Sequence, residues 1–249
     1  MHLTVLGAGP AYSDRRGSTG AAYLIRDGEE ALLLDLGQGS FPALARAVDP
    51  ARLRGVAVSH LHPDHFIDLV PLRHYLRYEC QPPARVTVHG PAGIDDRLDA
   101  LHDDDTFSSA ALDVEPLTEG RREIGPYALE ARRVTHTADS YAFRVSTEDE
   151  PGLVYSGDCG RAADLVPLVR PGDVLLVEVS FGPGPVSPGA QHLDAPAVAR
   201  LAVATRPARV LLTHLQMGFD PPATVEAVRD GWSGPVELVE PGFETPIAG

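Results

Sequence analysis

The sequence is poor in cysteine and in long apolar runs, and it contains no lysine. Its two cysteines, Cys80 and Cys159, are too few for a disulfide framework, and neither lies in a C-x-x-C pair of the redox or zinc type. No apolar stretch approaches the roughly 18–20 residues that a membrane span requires, and the first residues do not resemble a signal peptide. We therefore expect no membrane association and a reducing, cytoplasmic setting.

Acidic residues outnumber basic ones by 35 to 21, which gives a formal net charge of −14. Proteins that bind nucleic acid usually carry a basic surface, so this balance disfavours a large polyanionic partner. A small anion is still an acceptable ligand, because metal ions or a few arginines can reverse the local field. No repeat or linker divides the 249 residues, and we predict a single domain over residues 1–249.

Apolar runs bounded by turn residues predict short strands and helices along the whole chain. The predicted strands cover residues 2–6, 21–26, 31–36, 55–59, 85–89, 127–133, 141–146, 152–155, 174–179, 210–213 and 236–239. The predicted helices cover residues 41–47, 65–78, 93–101, 162–169, 195–204 and 222–230. Consecutive strands open the chain, strand and helix alternate later, and the most apolar strands need cover on both faces. Two packed sheets with helices outside each satisfy both patterns.

The densest group of ligand-type side chains follows the predicted strand at 55–59, in the segment His60-Leu61-His62-Pro63-Asp64-His65. Alternation directs the imidazoles of His60 and His62 to one side. Asp64 and His65, at the turn into a helix, are able to face a second point nearby. A structural interpretation in which Asp64 caps the helix does not account for three histidines in six residues. The spacing therefore predicts a polynuclear metal site.

Three further residues of ligand type each stand shortly after a predicted strand: His136 after 127–133, Asp158 after 152–155 and His214 after 210–213. A single histidine at a strand end is more often a hydrogen-bonded surface residue. Together with the segment at 60–65, however, these three predict a site that is assembled from several strand ends.

The seven residues, in this order, resemble the ligand set of the dinuclear metallo-β-lactamase superfamily, and the resemblance covers nearly the whole chain. It implies an α/β (α+β) fold, an αββα sandwich of two mixed sheets flanked by helices, with the metals at one edge. The ligands that it implies are His60, His62 and His136 for one ion, Asp64, His65 and His214 for the other, and Asp158 as the bridge. It also implies a catalytic role for Asp64. Imidazoles and carboxylates without thiolates suit two divalent ions, Zn²⁺ first, with Mn²⁺ or Fe²⁺ as alternatives.

The segment Gln191-His192-Leu193-Asp194 resembles the histidine-containing segment of the tRNase Z-like phosphodiesterases within this superfamily. There the histidine acts at the scissile phosphate as an acid or a charge stabiliser, so the resemblance implies a catalytic role for His192. Asp194 departs from the more usual hydroxyl residue, and a solvated histidine at a helix start is the alternative interpretation. Members that process tRNA also carry a long basic arm, whereas this sequence has no clearly basic insertion.

The compact acidic form is similar to small bacterial members of this branch, some of which act on cyclic nucleotides. The resemblance thus implies a metal-dependent hydrolase, namely a phosphodiesterase that converts a 3′,5′-cyclic nucleotide into the 5′-monophosphate. The alternatives are a tRNA 3′-processing endonuclease, a hydrolase of lactones, thioesters or β-lactams, and a metal-binding sensor without turnover. We expect a small anionic phosphodiester as the substrate, no nucleic-acid partner and, by family analogy alone, a homodimer.

Four residues and one loop have weaker functional interpretations beside structural ones. Ser18 lies in a glycine-bounded turn that either offers N–H groups to a phosphate or simply precedes a strand. Arg73 and Arg77 share a face of the predicted helix and either bind the phosphate or are solvated. Glu178 is either a hydrogen-bond partner of a ligand imidazole or a simple strand-end carboxylate. The loop at 182–189 either covers the substrate or is a passive linker.

Overall fold

The computed structural model describes residues 1–147, 151–187 and 189–247, and within them two seven-stranded sheets pack against each other. The strands of the first sheet are β1 (His2–Gly7), β2 (Ala22–Asp27), β3 (Glu30–Leu34), β4 (Gly55–Ala57), β5 (Val86–Gly90), β6 (Leu112–Pro116) and β14 (Glu244–Pro246). Those of the second sheet are β7 (Gly120–Ile124), β8 (Tyr127–Arg133), β9 (Tyr141–Ser146), β10 (Leu153–Tyr155), β11 (Val174–Glu178), β12 (Arg209–Thr213) and β13 (Val236–Leu238).

Both sheets are mixed. The first has the order β14-β1-β2-β3-β4-β5-β6 and the second the order β13-β12-β11-β10-β9-β8-β7. Neighbours from β3 to β6 and from β10 to β13 run parallel, and the remaining pairs run antiparallel. The register places Leu34 beside Ala57 and Tyr155 beside Leu176, so the carboxyl ends of these strands lie side by side.

Helices cover the outer face of each sheet, as the αββα expectation requires. They are α1 (Phe41–Ala47), α2 (Pro63–Phe66), α3 (Leu69–His74), α4 (Ile94–His102), α5 (Ala195–Thr205) and α6 (Pro221–Arg229). Strand β3 shows why each sheet is covered on both faces. Leu32 and Leu34 enter the core between the sheets, while Leu33 enters the core beneath α1, α3 and α4. This alternation follows from the two-residue period of a strand, and each such buried side chain contributes about 1.5–3 kcal/mol.

The eleven predicted strands are confirmed with their ends within two residues, and three further strands, β6, β7 and β14, were not predicted. All three lie at sheet edges, where one side of the strand has no partner in its sheet. Their sequences, such as GRREI in β7, carry exposed charges that prevent pairing with other chains. Edge strands of this kind lack the apolar run by which strands are recognised.

The helices predicted at 41–47, 93–101, 195–204 and 222–230 are confirmed within one residue, but two helical predictions are wrong. Residues 162–169 form only a 3-10 turn at Ala162–Asp164, because Pro167 has no N–H to continue a helix. The helix predicted at 65–78 breaks into α2, α3 and a π-helical turn at Tyr75–Glu79. Pro71 has no N–H to donate to the carbonyl of Ile67, the residue that directly follows α2. No helix in the described ranges is long and apolar enough to cross a membrane.

Candidate metal centre

The seven predicted metal ligands and Glu178 lie at one edge of the sandwich. They follow β4, β8, β10 and β12, and Glu178 is the last residue of β11. Strands β10, β11 and β12 run parallel, and β8 has the same direction because two antiparallel pairings separate it from β10. Carboxyl ends of parallel strands meet at the same edge of a sheet, which is where open α/β folds bind ligands.

The first group of side chains, called cluster 1, consists of His60, His62, His136 and Asp158. Nδ1 of His62 lies 3.0 Å from Nε2 of His60 and 3.1 Å from Nε2 of His136. Oδ2 of Asp158 lies 3.7 Å from Nε2 of His60 and 3.6 Å from Nε2 of His136. Ligand atoms around a tetrahedral Zn²⁺ lie about 3.3 Å apart, so the spacing suits a metal ion.

The second group, called cluster 2, consists of Asp64, His65, His214 and the same Asp158. Nε2 of His65 and Nε2 of His214 lie 3.2 Å apart. Oδ2 of Asp64 lies 3.7 Å from the former and 3.4 Å from the latter. All four residues are buried, whereas His62 in cluster 1 is exposed.

Asp158 belongs to both clusters, one carboxylate oxygen to each. Its Oδ2 faces cluster 1, while its Oδ1 lies 3.1 Å from Nε2 of His214 and 3.4 Å from Nε2 of His65. Oδ1 is buried and has no hydrogen-bond partner among the described residues. A buried carboxylate oxygen without a partner costs free energy unless a cation satisfies it. The donor set therefore fits divalent metal binding.

The second ring nitrogen of three cluster histidines is engaged by the protein. Nδ1 of His65 donates to Asp35 over 2.7 Å, and Nδ1 of His136 donates to the carbonyl of Gln191 over 2.9 Å. Nδ1 of His60 lies 3.1 Å from the hydroxyl of Ser59. These contacts place the proton on Nδ1 and leave the lone pair of Nε2 for a metal, as in known metal-ligating histidines.

Burial and the neighbouring histidines hold the pKa of His60 well below its usual range. Burial likewise lowers the pKa of His136. Both imidazoles are therefore neutral at pH 7, which is the form that binds metal. Burial also disfavours the charged form of His65, but the carboxylates of Asp158 and Asp35 outweigh it and raise the pKa of that imidazole.

His192 lies beside the clusters, with its ring 4.8 Å from that of His136 between centroids. Its Nδ1 donates to Oε1 of Glu178 over 3.0 Å and lies 3.2 Å from the hydroxyl of Ser180. Burial lowers the pKa of His192, but the hydrogen bond and charge of Glu178 outweigh burial and raise it overall. The imidazole that Glu178 contacts is thus His192 and not one of the cluster histidines.

Asp35 is a site residue that the sequence analysis missed. It is fully buried directly after β3, and its carboxylate accepts four hydrogen bonds of 2.6–2.7 Å. Their donors are the N–H and hydroxyl of Ser59, Nδ1 of His65 and the hydroxyl of Tyr155. Its signal in the sequence is a carboxylate at the end of the apolar run Leu32–Leu34, the same signal that marks Asp158.

The structure does not bring Arg73 or Arg77 to the clusters. The guanidinium of Arg73 is buried, donates to the carbonyl of Phe107 over 2.7 Å and lies 4.3 Å from the centroid of that ring. Arg77 is exposed and lies beside the ring of Tyr78. A shared helical face therefore does not imply a shared ligand here, because Arg73 is used to hold the segment at 104–110 against α3.

Ser18 lies in a turn where its N–H donates to the carbonyl of Arg15, which agrees with the structural interpretation. The turn borders a cavity of about 200 Å³ whose wall includes Leu215, the neighbour of His214. The loop predicted at 182–189 includes Pro188, which lies outside the described residues. Asp194 caps α5 through the N–H of Ala197 and also accepts from the N–H of Val186, so it fastens this loop to the helix.

Comparison with known proteins gives one family and several relatives. Residues 33–215 match the model of the β-lactamase superfamily domain. The chain is 32% identical over 263 residues to the uncharacterized protein Rv1339 of Mycobacterium tuberculosis, an alignment that covers 100% of this chain and 94% of that protein. It is 25% identical over 248 residues to the probable metallo-hydrolase YhfI of Bacillus subtilis, with 98% of each chain covered.

Solved structures show the same fold. The crystal structure of Bacillus subtilis YhfI superimposes with a TM-score of 0.87 at 21% identity, covering 98% of this chain and 99% of that chain. Human tRNase Z, short form, superimposes with a TM-score of 0.75 at 21% identity and 99% coverage of both. The resemblance seen in the sequence, to this superfamily and its tRNase Z-like branch, is confirmed. The chain therefore belongs to the β-lactamase superfamily, and it is a metal-dependent hydrolase.

Proposed function

We propose that the protein is a dinuclear phosphodiesterase that hydrolyses a 3′,5′-cyclic nucleotide to the 5′-monophosphate. Cluster 1 would hold one divalent ion and cluster 2 the other, with Zn²⁺ as the first choice and Mn²⁺ or Fe²⁺ as alternatives. When bound, two such ions activate water and neutralise charge on a phosphoryl group. The observation that carries the proposal is that each oxygen of Asp158 faces a different cluster, while His192 lies alongside both.

His192 serves as the acid for the departing oxygen. Its Nδ1 is held by Glu178, which leaves Nε2–H to face the substrate. As the bond from phosphorus to the 3′ oxygen breaks, this proton moves to the oxygen and yields a 3′ hydroxyl. The buried carboxylate of Glu178 stabilises the charged imidazolium before this transfer and keeps Nδ1–H on the neutral ring after it. The N–H groups of Cys159 and Ser180 hold that carboxylate in place.

Asp64 has the second catalytic role in this proposal. Its carboxylate lies beside His65 and His214, on the cluster 2 side of Asp158. A carboxylate in this position accepts a hydrogen bond from the attacking water and orients it toward phosphorus. In-line displacement would require this water to approach phosphorus from the side opposite the acid.

A small substrate is preferred over RNA on electrostatic grounds. The net charge of −14 repels an extended polyanion, whereas one phosphodiester is compensated locally by the metals. The likeness to human tRNase Z supports tRNA 3′ processing as the second candidate. Members of this branch that process tRNA also carry a long basic arm, and the sequence has no clearly basic insertion, so we place cyclic nucleotides first.

A substrate panel tests the proposal. Purified protein with Mn²⁺ or Zn²⁺ is incubated in parallel with bis-p-nitrophenyl phosphate, cyclic AMP, a precursor tRNA, nitrocefin and a lactone. We expect turnover of the first two, with 5′-AMP as the product from cyclic AMP. The matched control is the Asp158→Ala variant, which lacks the shared carboxylate and should be inactive on both.

The other outcomes of the panel are also decisive. Cleavage of precursor tRNA without cyclic AMP would establish the second candidate. Cleavage of nitrocefin or the lactone without cleavage of any phosphodiester would contradict the proposed phosphodiesterase activity, and so would no turnover of any substrate in the panel.

A further inference from the structure

We infer that Phe181 forms the wall on which the planar base of the nucleotide stacks, beside the group that protonates the leaving oxygen. This inference deepens the proposed function, because it names the part of the substrate that lies outside the metal clusters. It rests on the position of Phe181, on its lack of a role in the apolar cores, and on the contacts that hold Gly182 and the turn after His214.

Phe181 lies between His192 and Phe219, which is in the loop that follows His214. Its ring centroid lies 5.7 Å from that of His192 with the planes at 79°, and 6.4 Å from that of Phe219 with the planes at 87°. The rings therefore form a corner whose one side adjoins His192. When the leaving oxygen of a substrate lies at His192, its ribose and base are within reach of this corner.

Packing of the interior does not account for Phe181. In the part of the chain that the structure describes, it belongs to none of the three apolar cores and is only partly buried, whereas Phe219 packs against the core under α5 and α6. Met217, on the turn that carries Phe219, is 43% exposed. An aromatic ring that remains accessible beside a reacting group offers a stacking surface, and bases stack on such rings regardless of their identity.

Contacts within the protein hold the backbone beside Phe181 and the turn that carries Phe219. Gly182 has φ +53°, and a Cβ there would lie 2.6 Å from the ring of Phe219, so the ring packs directly on the backbone beside Phe181. The turn after His214 is held by Arg15, whose guanidinium donates to the carbonyls of Leu215, Gln216 and Phe219. Preorganised surfaces of this kind bind with little loss of conformational entropy.

Binding of the reaction product tests the inference separately from turnover. Calorimetry with metal-loaded protein compares adenosine 5′-monophosphate with ribose 5-phosphate, which has the same phosphate and sugar but no base. We expect the wild type to bind the nucleotide about tenfold more tightly, which is the low end of one stacked base. Phe181→Ala should remove that difference and leave the Kd of ribose 5-phosphate within about twofold.

Two variants control for folding and for general loss of aromatic surface. Phe181→Tyr keeps the ring and should keep the tenfold preference. Tyr78→Ala removes a side chain that is 61% exposed beside Arg73 and Arg77, away from the clusters, and should change neither Kd. Equal binding of the two ligands by the wild type, or an equal loss of both in Phe181→Ala, would overturn the inference. A base preference without hydrolysis of cyclic AMP would overturn the proposed function and leave the stacking wall standing.

Discussion

Oε1 of Glu178 lies 3.0 Å from Nδ1 of His192, so a buried carboxylate fixes the ring and its tautomer beside the two clusters. The carboxylate of Asp158 is also near this ring, with its Oδ2 3.9 Å from Nδ1 of His192. In the proposed function, the site has two parts: the side chains of the two clusters, which would hold cations, and the imidazole of His192, which would deliver a proton. The predictions below address each part.

Replacement of His192 should matter most when the leaving group is poor. A sugar 3′ alkoxide needs a proton as it departs, whereas p-nitrophenolate is stable as an anion at neutral pH. His192→Ala should therefore lower kcat on cyclic AMP by about 10²–10⁴-fold and lower kcat on bis-p-nitrophenyl phosphate much less. Steady-state kinetics on both substrates, with metal content measured in parallel, provide the check. Equal losses would indicate substrate positioning or charge stabilisation, and no loss on either would return His192 to a solvated helix-start residue.

Glu178→Gln should reproduce part of the His192 defect without loss of metal. The amide cannot stabilise a charged imidazole as a carboxylate does, but it keeps nearly the same shape and still accepts a hydrogen bond. We expect kcat on cyclic AMP to fall by about tenfold or more, with the same spared activity on bis-p-nitrophenyl phosphate. If Glu178→Gln instead loses one metal ion by elemental analysis, Glu178 acts as a ligand and the positioning role is wrong.

The shared carboxylate predicts an unequal response of metal content to two substitutions. Asp158→Ala removes one oxygen from each cluster and should lower occupancy of both, while His60→Ala should mainly empty cluster 1. Elemental analysis of dialysed protein measures the number of ions per chain. Full two-metal content in Asp158→Ala would show that this aspartate does not bridge.

Asp35 should act on metal affinity through His65. Asp35→Asn removes the charge that orients His65 and cannot accept all four of the present hydrogen bonds. Loss of such an outer partner typically lowers metal affinity by about 10–100-fold, and we expect that loss in a competition titration with a chelator. Asp113→Asn, an exposed carboxylate paired with Arg85, is the matched control and should leave the affinity unchanged. An unchanged affinity in Asp35→Asn would make Asp35 a structural residue only.

Arg73 should contribute to stability and not to substrate binding. Arg73→Ala removes a buried hydrogen bond and a stacked contact with Phe107, which should lower the free energy of unfolding by about 1–3 kcal/mol. Arg77→Ala, four residues on and exposed, should change it by less than about 0.5 kcal/mol. Denaturant unfolding and the KM for cyclic AMP are measured on both variants. A raised KM in Arg73→Ala with unchanged stability would restore the substrate-binding interpretation.

The central strands and the group of ligand-type residues could be predicted from the sequence, since both depend on local patterns. Apolar runs such as Val174–Val177 mark strands that are buried on both faces, and the segment at 60–65 concentrates ligand-type residues beyond any structural need. Edge strands such as β7 were not predicted, because exposed charged residues interrupt the apolar run in their sequences. Contacts between residues far apart in the sequence could not be predicted either. No local pattern indicates that Asp35 accepts a hydrogen bond from His65, thirty residues later, or that Arg73 donates to the carbonyl of Phe107. The single domain over residues 1–249 and the homodimer stay predictions.

Hydrolysis of cyclic AMP in ¹⁸O-labelled water is the measurement that tests the central claim most directly. The account predicts that metal-loaded protein yields 5′-AMP with one ¹⁸O atom in its phosphate, because water attacks phosphorus and the bond to the 3′ oxygen breaks. Mass spectrometry and chromatography of the product read both features at once. Formation of 3′-AMP, label in the ribose, or no turnover by protein that holds two metal ions would contradict it.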